Sequence, residues 1–258
     1  MASHRAITVV GLRTAIAAAV LWLVARPSVR EYSRRQWMNA ILLGTVTVGM
    51  NLLFYCAIVR LPLGIAMTIT FLGPFAVALL GSHKLTDMLW PVMALAGVVL
   101  FAPAIGHHAL STSGLLFSLA AATAWGIYLV LTARTSSMFP GATGLTLATT
   151  FGAVIALPVG LATAHPTSFE GALLLRGFIV AMLSTFIPFS LEFLALKRMS
   201  PRMFGILVSA DPAVAALVGL AVLHESLSGR EWLALVLVTV AAVGAMAQRK
   251  DQFPRIEI

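Results

Sequence analysis

Apolar residues run along this chain in nine stretches of about twenty, the length that carries a helix across the hydrocarbon core of a bilayer. They fall at 6–25, 36–59, 62–82, 88–106, 113–133, 143–164, 177–197, 203–223 and 231–248. Short links, polar or containing Gly and Pro, join them. The alternation over about ten residues that marks a transmembrane β-strand is absent. The pattern predicts an all-α integral membrane protein, a bundle of nine helices.

Composition narrows this further. Of 258 residues, 60% are hydrophobic and 10% charged, against about 25% charged in a soluble domain. A net charge of +8 would suggest nucleic acid in a soluble protein, but the basic residues sit in the links. One alternate set of links holds Arg26, Arg30, Arg34, Arg35, Lys84, Arg134, Lys197, Arg198, Arg202, Arg249, Lys250 and Arg255; the other holds only Arg60, Arg176 and Arg230. Lys/Arg-rich links stay in the cytoplasm, which places the 26–35 link and the C-terminus inside. The charge therefore reads as topology and nucleic acid is not an expected partner. Cys56, the one cysteine, excludes an internal disulfide. No cleavable signal peptide is visible.

At an offset of 138 residues the chain resembles itself. Pro74 lies over Pro212, Gly81 over Gly219, Arg60 over Arg198, Ala57 over Ala195, Gly106 over Gly244 and Asp87 over Glu225. Four consecutive helices superpose without a gap. The expected units are 1–106, a short outside link at 107–112, and 113–258. A repeat unit with an odd number of helices inverts its copy, and inverted repeats are a signature of secondary transporters. The helix at 113–133 opens the second unit, and its partner would lie before residue 1. The expectation is a five-plus-five bundle whose first helix precedes Met1, or else a protein that works with nine.

Few residues in the apolar runs can carry chemistry. Glu192 stands in the run from Ser184 to Leu196 among small and apolar neighbours. A charge at the bilayer centre costs about 2.5–3.5 kcal/mol or more and is usually functional. Ser184, Thr185 and Pro188 precede it by eight, seven and four residues, spacings that share one helical face. A proline there frees backbone carbonyls that can line a cavity. Arg13, about a turn and a half into the first helix, reads either as a cation snorkelling to the interface or as one facing a cavity. In the cavity it would hold a carboxylate with paired donors, or pair with Glu192 or Asp211. Asp211 precedes Pro212, so two central helices each carry a proline about ten residues in. Asn51, Tyr55, Trp125 and Tyr128, with Phe54, are polar-tipped or aromatic and read as packing or as substrate contacts. Glu225 opens a helix, where the dipole favours an acid. His107 and His108 lack a third ligand, so no metal is expected. There is no H-E-x-x-H, phosphate-binding loop or nucleophile elbow. Neither an enzyme nor a cofactor is expected.

The runs Met50–Tyr55, Leu61–Ala66, Gly73–Leu79, Leu183–Glu192 and Glu225–Leu227 resemble the drug/metabolite transporter superfamily. Within its EamA-type branch they are similar to the inner-membrane threonine/homoserine exporters. The resemblance covers essentially the whole chain. It implies a ten-helix inverted-repeat exporter of small neutral amino acids in a bacterial inner membrane. Arg13, Glu192 and Asp211 fall where that group has an arginine and two acids. Thr70 stands where the group has an acid, four residues before the proline of the Gly-Pro pair, so the first repeat lacks a central carboxylate.

The expected function is proton antiport by alternating access, with the lipid bilayer, protons and a small-molecule substrate as partners. Arg13 would hold the substrate carboxylate. Glu192 or Asp211 would bind either the substrate ammonium or a proton. The rivals are a transporter of another metabolite or drug, recognised by stacking on Tyr55 and Trp125, and a non-transporting scaffold in which the acids pair permanently with Arg13.

Overall fold

In the computed structural model the chain is helical throughout its described part: residues 2–27, 29, 32–61, 63–81, 85–101, 111–162, 171–208, 210, 211, 214, 217 and 228–250. The expectations that rest on Pro212, Gly219, Gly106, His107, His108, Glu225, Lys84 and the C-terminal tail lie outside these residues.

The helices are α1 (Ala2–Ala25), α2 (Arg34–Ile58), α3 (Leu63–Thr70), α4 (Leu72–Leu80), α5 (Leu85–Phe101), α6 (Thr112–Met138), α7 (Thr143–Ala162), α8 (Gly171–Ala181), α9 (Ile187–Leu196), α10 (Pro201–Val208) and α11 (Gly229–Lys250). Five apolar stretches are long enough to cross a membrane, at Thr8–Ala25, Arg34–Ile58, Thr112–Met138, Thr143–Ala162 and Gly177–Leu196. Shorter apolar helices run over Ile65–Leu80, Met88–Leu100 and Trp232–Ala241. Large side chains such as Leu23, Leu80, Leu116, Val154 and Leu191 face outward, as a lipid-facing surface requires.

Local sequence explains where the helices begin and break. Ser33 and Gln36 form a capping box at the start of α2, which satisfies backbone donors a helix cannot bond itself. Ser111 accepts from the Gly114 N–H at the start of α6. The span expected over 62–82 is interrupted at Phe71 rather than at Pro74. Proline offers no N–H to the carbonyl four residues earlier and its ring crowds it; for Pro74 that carbonyl belongs to Thr70, so the break falls there. Pro188 acts differently. A π-helical turn at Met182–Phe186 links α8 to α9, and the Ile187 N–H reaches back five residues to Met182. The wide turn absorbs the bond that Pro188 cannot make to Ser184.

Without a hydrophobic drive between helices in lipid, close backbone approach decides packing. Gly44 on α2 presses on the Ala148 carbonyl and Gly152 of α7, and Gly73 on α4 on the Ala122 carbonyl and Gly126 of α6. A Cβ at either glycine would collide with backbone. The main helix pairs are α1 with α7, α2 with α6 and α7, α4 with α10, and α5 with α11. Two of these, α1–α7 and α5–α11, join segments that the 138-residue offset superposes in whole or in part, while α10 superposes on α3, the helix just before its partner α4. At one end of the bundle Gln36 donates to the Met138 carbonyl at 2.8 Å. There Tyr32 packs on Phe139 at 4.8 Å, and Lys197 donates to the Phe139 carbonyl at 3.0 Å and to that of Gly141. This is the end that carries Arg34, Arg35, Arg134 and Lys197.

Candidate functional site

Helices α1, α2, α6 and α7 and the α8–α9 span surround a cavity lined by Arg13, Thr14, Leu43, Gly44, Thr47, Val48, Asn51, Tyr128, Leu145, Ala148, Thr149, Gly152, Thr185 and Phe189. The glycine contacts bring α2 against α7 at its wall, and Leu43, Tyr128, Leu129, Ala148 and Leu196 pack as one cluster beside it.

Arg13 stands at the middle of α1. Its guanidinium donates to Asn51 Oδ1 and lies 6.0 Å from the centroid of the Tyr55 ring. Asn51 in turn donates through Nδ2 to the Thr47 carbonyl at 2.8 Å. That second bond fixes which way the amide points, so Asn51 presents an acceptor to the arginine and nothing else. Arg13 Nε is buried without a hydrogen-bond partner. The cation is thus held by a neutral amide and keeps an unused donor, as a group awaiting an anion would.

Across the cavity, Tyr128 Oη donates to Glu192 Oε2 at 3.1 Å. The ring is 2% exposed and packs 5.9 Å from Phe189. Glu192 Oε1 is buried and unpartnered. Glu192 itself does not line the cavity: Tyr128 stands between them. Glu192 lies one turn before the end of α9, nearer the basic end of the bundle than the midpoint of its span. Asp211 is helical and exposed.

The residues singled out in the sequence divide accordingly. Arg13, Asn51, Tyr128 and Thr185 come together on the cavity wall. Thr185 is 2% exposed with an unpartnered hydroxyl. Ser184 is exposed and donates to the Val180 carbonyl at 2.7 Å. It is not on the wall with Thr185, because successive residues of a helix point about 100° apart, so only one of the two can face the cavity squarely. Tyr55 supports Arg13 from behind. Trp125 packs on Phe71 at 5.2 Å, between the cluster of α4, α5, α10 and α11 and the Leu43–Tyr128 cluster beside the cavity, without lining the cavity itself. Thr14, Thr47 and Thr149 were not anticipated. Each donates to the carbonyl one turn earlier, those of Val10, Leu43 and Leu145, and turns its oxygen's acceptor side elsewhere. The available signal was spacing, since Thr47 and Asn51 are one turn apart. Among the described residues no cluster of three or more His, Cys, Asp or Glu could hold a metal.

Helices long and apolar enough to cross a membrane several times, around a cavity with an arginine on one wall and a tyrosine-bound acid behind the other, define a multi-pass membrane transporter. The model of the EamA-like transporter family matches residues 112–247. The threonine/homoserine exporter RhtA of Salmonella typhimurium (strain SL1344) is 33% identical over 254 residues, which are 97% of this chain and 85% of that one. The threonine/homoserine exporter RhtA of Escherichia coli (strain K12) is 33% identical over 247 residues, 94% and 83% of the two chains. A crystal structure 20% identical in sequence superposes with a TM-score of 0.77, over 97% of this chain and 90% of the other; it speaks to the fold. The chain belongs to the EamA-like transporter family.

Proposed function

We propose that the protein exports threonine, homoserine or similar small neutral amino acids from the bacterial cytoplasm across the inner membrane, in exchange for protons. The similarity to exporters named for those substrates supports the class. The observation that carries the mechanism is a pair of buried, unused polar atoms at one cavity: Nε of Arg13, which lines it, and Oε1 of Glu192, behind Tyr128. A zwitterion offers a carboxylate to the first and an ammonium toward the second.

In this reading Arg13 binds the substrate carboxylate, with Asn51 holding it in place. The oxygens of Thr14, Thr47, Thr149 and Thr185 accept from the ammonium or from a side-chain hydroxyl. Glu192, with Asp211 nearby, exists with or without its proton. The ionised form attracts the ammonium and the protonated form releases it, so an incoming proton displaces the amino acid. The halves 1–106 and 113–258 form an inverted repeat, and the packing of α1 on α7 and of α5 on α11, segments that the 138-residue offset superposes, supports a two-fold relation between them. Alternating access is a rocking of one half on the other, with the C-terminus in the cytoplasm.

Two observations weigh against the rivals. Trp125 packs on Phe71 and does not line the cavity, which disfavours stacking of a nucleoside or drug on it there. Arg13 is bonded to Asn51 and Glu192 to Tyr128, which is not the permanent Arg13–acid pair that a scaffold would hold. The test is efflux of radiolabelled threonine from proteoliposomes with and without an imposed pH gradient. The gradient should accelerate efflux; indifference to it would remove the antiport reading.

A further inference from the structure

Most helix threonines in this bundle hide their hydroxyl in the same way. Thr14, Thr47, Thr146, Thr149 and Thr150 donate to the backbone carbonyl one turn earlier, the usual solution for a hydroxyl out of water. Thr132 and Thr135 on α6 do not. Both are 0% exposed, and neither hydroxyl has a hydrogen-bond partner, although each has a carbonyl one turn behind it. A buried polar group left unsatisfied costs about 1–3 kcal/mol. Two on one face of one helix call for an explanation beyond packing.

Their position supplies one. Thr132 and Thr135 follow Tyr128 by four and seven residues, so the three share a face. The Thr132 hydroxyl is near the Tyr128 phenol without completing a hydrogen bond to it, and the phenol is bonded to Glu192. Thr135 is about 10 Å further along the helix than Tyr128, at 1.5 Å per residue, toward the basic end. Its methyl abuts Gly144 beside Phe193, just inside the point where Lys197 holds the Phe139 and Gly141 carbonyls. At the other end of the file Glu192 Oε1 is unpartnered.

We propose that Thr132 and Thr135 are the proton path between Glu192 and the basic, cytoplasmic end. This rests on the proton-antiport reading above. Thr132 and Thr135, three apart on one helix, are about 5–6 Å from each other at Cβ, a gap one water spans, and in the proposed path a second water joins Thr132 to Glu192. Glu192 gives its carboxyl proton from Oε1 to the first water. Each hydroxyl then takes a proton on its oxygen as it passes its own onward, and one proton leaves beyond Thr135. Glu192 ends ionised and both threonines end as they began. They touch the proton and not the amino acid, which makes them positioning residues for coupling.

The experiment compares two fluxes of radiolabelled threonine in proteoliposomes of the full chain: efflux driven by a pH gradient, and threonine–threonine exchange at equal pH. Thr132→Val and Thr135→Val keep the side-chain shape and remove the hydroxyl; together they should slow driven efflux about tenfold, an added barrier of about 1.4 kcal/mol, while exchange persists. Thr132→Ser and Thr135→Ser should restore it. Ser118→Ala, which removes another buried, unpartnered hydroxyl on α6, should change neither flux. Valine variants that keep normal driven efflux, while Glu192→Gln abolishes the response to pH, would overturn the path and leave the antiport reading standing. Equal loss of both fluxes would also overturn it, as damage to packing. If wild-type efflux ignores the gradient, the antiport reading fails and the path with it.

Discussion

The two walls of the cavity are built on opposite plans. Arg13 belongs to a closed chain of bonds, from guanidinium to Asn51 to the Thr47 carbonyl, that ends on the helix backbone. Glu192 has one bond, from a phenol that is itself neutral, and a second oxygen left open. Neither wall pairs its charge with the other. A buried ion pair would hold both groups in one state, and breaking it would cost about 3–5 kcal/mol. Separate neutral partners leave the cation permanently charged and well placed, and leave the acid able to change its proton. One wall is suited to a constant feature of the substrate, its carboxylate, and the other to what must alternate.

Arg13→Lys breaks this contrast most severely. Lysine keeps the charge but loses the planar fork that grips a carboxylate with two bonds. Charge-assisted bonds contribute about 1.5–3 kcal/mol, so threonine transport in proteoliposomes should fall about hundredfold. A variant that still transports well would point to a substrate without a carboxylate. Glu192→Gln comes next: it preserves the acceptor for Tyr128 and abolishes titration, so efflux should lose its acceleration by a pH gradient. Asn51→Ala should leave Arg13 charged but loosely held. The expected result is a rise of about tenfold in KM, about 1.4 kcal/mol, with a smaller change in kcat. Smallest is Tyr128→Phe. It keeps the ring in its packing and removes one hydrogen bond of about 1 kcal/mol, for a loss of about fivefold in transport, with the protein's thermal stability close to that of wild type.

The sequence made the helices legible because a bilayer imposes length and apolarity on every span, and it made Arg13 and Glu192 legible because charges stand out there. What it hid were matters of phase. Thr185 faces the cavity and Ser184 does not, and the π turn at Met182–Phe186 shifts the phase of both against Glu192, a shift that a spacing rule for a uniform helix does not contain. The break at Phe71 falls three residues before the proline that causes it. Trp125 read as either packing or a substrate contact, and only the tertiary structure shows it packed against Phe71. Thr47 and Thr149 looked like ordinary residues of an apolar helix, since a threonine facing a cavity and one facing lipid make the same bond to the carbonyl behind them.

The central claim is that amino-acid binding and the proton on Glu192 exclude each other. The most direct measurement is proton release, followed with an indicator dye as threonine is added to the purified protein in weakly buffered detergent solution. The account predicts stoichiometric release by the wild type and none by Glu192→Gln. Threonine that binds without releasing protons, or release that survives in Glu192→Gln, would contradict it.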